Sequence, residues 1–422
     1  MVKRRKRKRK LNKRVFGCLF VFVILLIGCF VFLKPSNSIK KDVVKEEKLS
    51  SFVGLNISEL ESFCNDKDIT IEKDYQYSDE VEENVIISQD IDKGTKLSSV
   101  KKIKVIVSKG KLDYSKYKVN ELGEVPVMMY HGIIDKPSSE TGNIGGNVDK
   151  DGYNRTAEAF RGDLEFYYKS GYRMIRLDDF VDGNIDVEAG KSPIILTFDD
   201  GNDNNIKVLG RDDKGNLKID PNSAVGVLEE FKKKYPDYNV TATFFVNGGI
   251  FNQPDYNEEI VKWLVDNGYD VGNHTISHVN FTKVDYNTSV MEVGKLYKML
   301  DGIIPGKYVE IVALPFGSPY NRDHSNYPAV MDGEYDGYKY HTKAGLRVGW
   351  KASESCFDKE FDASFIKRIR AYDNNGVEFD IEMNFKLLEN SRYISDGNKD
   401  TIVVRESDKD KVIENDKKVI SY

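Results

Sequence analysis

The chain has 422 residues and a formal charge of −5, long enough for two or three domains with ordinary cores. Residues 1–14 hold ten Lys/Arg and no acid, which leaves −15 on the remainder; an acidic bulk of that kind argues against binding along a nucleic-acid backbone. Four cysteines, two of them in one apolar run and none in a CxxC spacing, exclude a disulfide framework and a thiolate metal site.

The basic segment 1–14 runs directly into VFGCLFVFVILLIGCFVFL, residues 15–33, which carries no charge. As a helix rising about 1.5 Å per residue, it just spans a hydrocarbon layer of about 30 Å. Positive charge on its N-terminal flank predicts a cytoplasmic N-terminus and an extracellular remainder, a single-pass cell-membrane protein. Leu26-Ile27-Gly28-Cys29 also resembles a lipoprotein signal with Cys29 lipidated. The apolar run continuing through Phe30–Leu33 favours an uncleaved transmembrane anchor instead. Residues 34–50 are a charged, polar linker.

Residues 51–110 read as a small α+β unit. VGLNISELESFC predicts an amphipathic helix entered through Asn56 or Ser58. ITIEKDYQY, NVIISQDI and KIKVIVSKG alternate as strands, with DKGT as a turn. Val53-Gly54-Leu55, VIISQDIDKGTKL at 85–97 and VSKG at 107–110 resemble a PASTA domain, a module of cell-wall enzymes and penicillin-binding proteins. That resemblance implies a wall-facing position, with either peptidoglycan affinity or a spacer role.

After a connector, 111–124, strands and helices alternate. The expected strands are VPVMMYH, YRMIRL, PIILTF, VTATFFVNG, YDVGN and YVEIVALPFG. The expected helices are TAEAFRGDLEFYYKSG, SAVGVLEEFKKKYP, YNEEIVKWLVDNG and SVMEVGKLYKMLDGI. This pattern predicts an α/β domain over 125–370: a barrel-like parallel sheet, closed or nearly so, wrapped by helices. Functional groups on such folds collect at the C-terminal strand ends. Asn202–Ser223 is a polar excursion at the barrel mouth. Residues 371–422 are charged, with strands expected at VEFDIEMNF and DTIVVRE; they form an extension or part of the same domain.

The strand LTF ends in Asp199-Asp200-Gly201-Asn202. Adjacent carboxylates oppose each other's ionisation. They are either a turn of ordinary composition or the flank of a cation. His274-Thr275-Ile276-Ser277-His278 also follows a strand, and imidazoles four apart share one face of a helical turn. Alone that pair is commonly a surface coincidence. With a carboxylate from another strand end it makes a two-His, one-carboxylate set with open positions, the arrangement of catalytic zinc. A divalent cation on Asp200, His274 and His278 would hold Asp200 ionised and leave Asp199 as general base.

TFDDG together with HTxxH resembles the polysaccharide deacetylases of carbohydrate esterase family four. The resemblance, which runs from about Val125 to at least Gly349, implies Asp199 as general base and Asp200, His274 and His278 as ligands of one divalent cation, most commonly Zn2+. Leu314-Pro315-Phe316-Gly317 looks like the family's third motif. It implies Pro315, Phe316 and Gly317 as a substrate-groove wall and the Phe316 N–H as oxyanion donor. That motif usually begins with an arginine that orients the base; here the position is Ala313, and Arg347 and Arg322 are the substitutes considered. The family's late histidine is also missing. Instead Met129-Tyr130-His131-Gly132 precedes TFDDG, similar to the permuted branch that includes poly-N-acetylglucosamine deacetylases, which implies His131 as general acid. His324 and His341 read as surface residues.

The expectation is metal-dependent removal of N-acetyl groups from N-acetylglucosamine residues of cell-wall glycan, with peptidoglycan favoured. The alternatives are a poly-N-acetylglucosamine substrate, an O-acetyl esterase, and a non-catalytic wall-binding protein, the last suggested by Ala313. The partners implied are that glycan and, through the N-terminal helix, the membrane.

Overall fold

The structure, a computed structural model, describes residues 47–422. The expected anchor at 15–33 and the alternative at Cys29 lie outside them. Among the described residues, no helix is long and apolar enough to cross a membrane.

The N-terminal unit is built around one helix, Ile57–Asn65. The Asn56 side chain caps it by accepting the Ser58 N–H, and Leu60 and Cys64 face inward. Strand Lys102–Ser108 alternates, burying Ile103, Val105 and Val107. It lies between Thr70–Gln76, which it pairs in parallel, and Ile86–Gln89, which it pairs antiparallel. Period-two burial against one helix face is what makes this short sequence hold a core. Two contacts join the unit to the following segment: the Tyr114 hydroxyl donates to Asp79 at 2.7 Å, and the Tyr77 and Tyr117 hydroxyls meet at 3.0 Å.

The larger domain carries one curved parallel sheet. Its strands are β1 (Val127–Tyr130), β2 (Tyr172–Met174), β3 (Ser192–Phe198), β4 (Thr243–Val246), β5 (Asp270–Asn273), β6 (Ile311–Ala313), β7 (Ala344–Leu346) and β8 (Ile369–Arg370). The order is β7-β6-β5-β4-β3-β1-β8, with β2 beside the first half of β3. All seven residues of β3 are buried, as expected for a strand covered on both faces. Alternation sorts its side chains: Ile194, Leu196 and Phe198 enter the helix-side core, where Phe198 stacks between Tyr130 and Phe244. Ile195 faces the other core, with Val127, Phe245 and Ile311. Asp199 shares the parity of Ile195, so it is delivered to the barrel interior.

The edges of the sheet meet through one short stretch. Ile366 bridges Leu346 at the end of β7, and Ile369 pairs with Met128 of β1. Arg368 lies between these attachments.

Three expected elements differ. YRMIRL is a strand only to Met174, because Leu177 opens a short helix, Leu177–Val181, that buries Leu177 and Phe180. The polar excursion contains a two-stranded antiparallel hairpin, Val208–Arg211 with Leu217–Ile219. VEFDIEMNF is not a strand. Asp380 accepts the Met383 N–H and starts the helix Ile381–Ser391, whose Ile381, Phe385 and Leu388 are buried. That i, i+4, i+7 stripe is helical, and the local cap decides it. DTIVVRE does contain a strand, Thr401–Val404.

The C-terminal segment staples the connector. Glu121 is buried and accepts from the Tyr393 hydroxyl at 2.9 Å, the Val403 N–H at 2.7 Å and the Asp396 N–H at 3.2 Å. Burial, then the charge of Asp396, pushes its carboxyl well above the ordinary range. The folded chain therefore keeps a proton there that the unfolded chain has lost, so this contribution is full at low pH and fades as pH rises above the ordinary carboxylate value. Glu121→Gln, which cannot ionise, is expected to flatten the fall in unfolding free energy in the window that opens above the ordinary carboxylate value. Urea titrations across that window check it; an unchanged slope contradicts the assignment.

Candidate metal centre and catalytic cleft

Asp199 enters the barrel at the end of β3, its N–H bonded to the Tyr130 carbonyl at 2.9 Å. Its carboxylate meets Arg368 in a two-pronged pair, Nη1 to Oδ1 at 2.8 Å and Nη2 to Oδ2 at 2.7 Å. Both side chains are almost fully withdrawn from solvent. The same guanidinium donates to the Arg347 carbonyl at 2.7 Å and to Thr197 Oγ1 at 3.1 Å. A Cβ on Gly349 would stand 2.1 Å from the Arg368 carbonyl, so the chain passes there only without a side chain. Burial alone would raise the Asp199 carboxyl; the charge of Arg368 and its hydrogen bonds outweigh it and hold the group well below the ordinary carboxylate range.

The arginine paired with Asp199 is therefore Arg368, not the expected Arg347 or Arg322. Arg322 pairs with Asp362, and Arg347 contributes its carbonyl while its guanidinium lies over Phe365. The one sequence signal for Arg368 is its place beside Ile369, inward by alternation in the closing stretch. Without knowledge of which edges meet, nothing linked that position to Asp199.

Asp200 turns the other way. Its φ is +74°, a conformation that costs a non-glycine residue of order 1 kcal/mol or more. Gly201 follows at φ +57°, where a Cβ would lie 2.5 Å from the Ile250 carbonyl. Asp200 Oδ1 faces His274 Nε2 at 3.3 Å and His278 Nε2 at 3.5 Å. The ligand atoms of the three residues all lie within 4.8 Å of one another.

The histidines do not sit on a helical turn. Thr275 and His278 have φ of +64° and +57°, and this irregular backbone brings the two rings to 4.8 Å at 71°. Side chains hold the loop. Asn273 accepts the Thr275 N–H, Asn247 donates to the carbonyls of His274 and Thr275, and buried Glu292 accepts from Ser277. His274 Nδ1 must donate to the Ala313 carbonyl, 2.7 Å away, which leaves Nε2 as the lone-pair nitrogen. That Nε2 is buried without a hydrogen-bond partner. An orphaned imidazole nitrogen aimed at a carboxylate and a second imidazole fits a borderline divalent cation of the zinc class. The position expected to hold an arginine, Ala313, thus contributes its carbonyl.

His131 follows β1. Asn205 donates to its carbonyl at 2.7 Å, and Asn204 accepts the Ile133 N–H at 3.0 Å, so the polar run after Asp200 locks the histidine segment to the end of β3. The His131 Nδ1 is buried and unpartnered, and Tyr153 packs edge-on against the ring at 4.9 Å. Burial lowers its proton affinity, against the opposing charges of Asp199 and Asp200. Phe316 stands beside His278, ring centroids 4.8 Å apart, with 55% of its surface exposed. Its φ is +57°. The turn bonds run from Gly317 to Leu314 and from Ser318 to Pro315, so the Phe316 N–H is left out of them. Pro315 and Gly317 are buried on either side.

Replacing Arg368 by Met would leave the Asp199 charge buried and unpaired, a loss of about 3–5 kcal/mol. Arg368→Lys is expected to recover only part of it, because an ammonium cannot span both carboxylate oxygens. Urea unfolding in EDTA measures this; an Arg368→Met protein within about 1 kcal/mol of the parent would refute the pairing.

Residues 186–331 match the family model for polysaccharide deacetylase, and residues 47–109 match that for the PASTA domain. A peptidoglycan-N-acetylglucosamine deacetylase of Bacillus cereus is 29% identical over 130 residues, 30% of this chain and 37% of that protein. The match therefore spans well under half of the relative's own length. Among solved structures, a Streptococcus pyogenes deacetylase, PplD, in complex with acetate is similar at 18% identity. It has a TM-score of 0.42 and covers 60% of this chain and 93% of that one. The peptidoglycan deacetylase PdaC of Bacillus subtilis is similar at 23% identity, with a TM-score of 0.23, covering 32% of this chain and 55% of that one. The chain carries a PASTA domain followed by a polysaccharide deacetylase domain.

Proposed function

We propose that the protein is a metal-dependent N-deacetylase of N-acetylglucosamine residues in cell-wall glycan, with peptidoglycan as the favoured substrate. The observation that carries this reading is an ionised carboxylate, Asp199, fixed by Arg368 next to the Asp200–His274–His278 donor set. A zinc-class cation held by those three residues would supply Lewis-acid polarisation of the acetamide carbonyl. Asp199 takes the proton of the attacking water, and Arg368 keeps its carboxylate in the charged, oriented state that role needs. The Phe316 N–H donates to the oxyanion that develops on the carbonyl. His131 hands a proton to the departing sugar amine, and acetate leaves.

A PASTA domain ahead of the catalytic domain supports a wall-facing placement. The apolar run 15–33 would hold the chain on the outer face of the membrane, or Cys29 would do so by lipidation. A second substrate, poly-N-acetylglucosamine, is favoured by the motif order, with His131 ahead of Asp199. The non-catalytic alternative rested on the missing arginine at Ala313; the pairing of Arg368 with Asp199 supports the catalytic reading instead.

The test is acetate release from peptidoglycan and from poly-N-acetylglucosamine by the zinc-loaded chain. Asp199→Asn is expected to lower kcat by about 10²–10⁴, and EDTA to abolish release reversibly. An Asp199→Asn protein as active as the parent would disprove the base assignment; release from the soluble polymer alone would remove the peptidoglycan preference.

A further inference from the structure

Arg370 lies two residues beyond Arg368 on the closing stretch, so alternation places it on the same face, nearer the strand's C-terminal end. Arg368 is neutralised by Asp199. The guanidinium of half-buried Arg370 makes no hydrogen bond or ion pair among the described residues. Its guanidinium lies over the Tyr372 ring at 4.0 Å and 5.3 Å from the centre of Tyr153. Tyr153 is the ring packed against His131. One aromatic ring therefore separates an unneutralised cation from the group that faces the leaving amine.

The surroundings are rigid. Asp373 accepts from buried Arg155 at 3.0 Å, and its carbonyl accepts from Asn147 at 2.7 Å. Arg155 is also paired with Asp163 at 2.6 Å, and the Tyr372 hydroxyl donates to the Glu378 carbonyl. The nearest carboxylate in sequence is thus committed elsewhere. Stacking on Tyr372 uses a face of the guanidinium and leaves its in-plane N–H fork available. A planar anion with two oxygens is the complement of that fork.

We propose that Arg370, walled by Tyr153 and Tyr372, binds a carboxylate carried by the glycan next to the N-acetylglucosamine being deacetylated. The preferred substrate is then an acidic glycan with a carboxyl substituent on the neighbouring sugar, not a neutral N-acetylglucosamine homopolymer. This rests on the deacetylase reading above and names the substrate class of that same site.

The test compares two soluble oligosaccharides of equal length: a neutral N-acetylglucosamine homopolymer, and a peptide-stripped strand bearing a carboxyl ether on alternate sugars. With the full, zinc-loaded chain, kcat/KM is expected to favour the acidic strand, and the preference to shrink as salt rises. Arg370→Gln should reduce the acidic-to-neutral ratio about tenfold through KM, with Arg370→Lys recovering part of it. Equilibrium binding of both oligosaccharides to the metal-free parent in EDTA reads the same preference without turnover. A ratio unchanged by Arg370→Gln, or equal losses on both strands, overturns the assignment. Binding preference without acetate release by the parent would instead overturn the deacetylase reading while supporting the anion site.

Discussion

A carboxylate withdrawn from water survives in its charged form only beside a fixed positive charge, and in this protein the pair of Asp199 with Arg368 meets that condition. The two residues lie 169 positions apart in the sequence. Asp199 follows β3; Arg368 belongs to the stretch that joins β7 to β1. Closing the sheet and ionising Asp199 are therefore one event. The pair also separates the two adjacent acids: Asp199 faces inward to Arg368, while a left-handed Asp200 faces the histidines.

The Asp200–His274–His278 donor set depends on backbone that ordinary residues avoid. Asp200, Thr275, His278 and Phe316 all have φ between +57° and +74°, and strain of this kind persists only where neighbours over-determine it. Around the two histidines the neighbours are side-chain amides and one buried carboxylate: Asn247, Asn273 and Glu292. Ala313 fits the same logic. Its small side chain is fully buried, and its carbonyl selects the His274 tautomer that leaves Nε2 for a ligand.

The C-terminal segment packs into the larger domain. Its helix Ile381–Ser391 buries Phe385 and Leu388 in the main core, and residues 392–403 clasp the connector through Glu121. Asp373 locks onto Arg155, and this is the frame that holds Arg370 and Tyr372 beside Tyr153. Residues 371–422, which carried no motif, thus brace the closing strand and the segment around Tyr153.

Local signals were legible where chemistry and chain spacing coincide. TFDDG, HTISH and the alternating strands could be read as functional groups at the ends of parallel strands, because a strand's period and a ligand's identity are properties of a few consecutive residues. The residues of the donor set were legible too, but not their geometry: the histidines converge through positive-φ turns held by distant amides. Arg368 was not legible at all. Its role exists only because two sheet edges meet, and its sequence neighbourhood resembles any basic strand. VEFDIEMNF misled for a related reason, since alternation suggested a strand while the Asp380 cap and the core behind Phe385 select a helix. The sequence by itself determined which side chains are available for the chemistry and the strand ends that carry them. Only the tertiary structure decided which charge neutralises which, because burial and pairing depend on contacts between segments far apart in the chain.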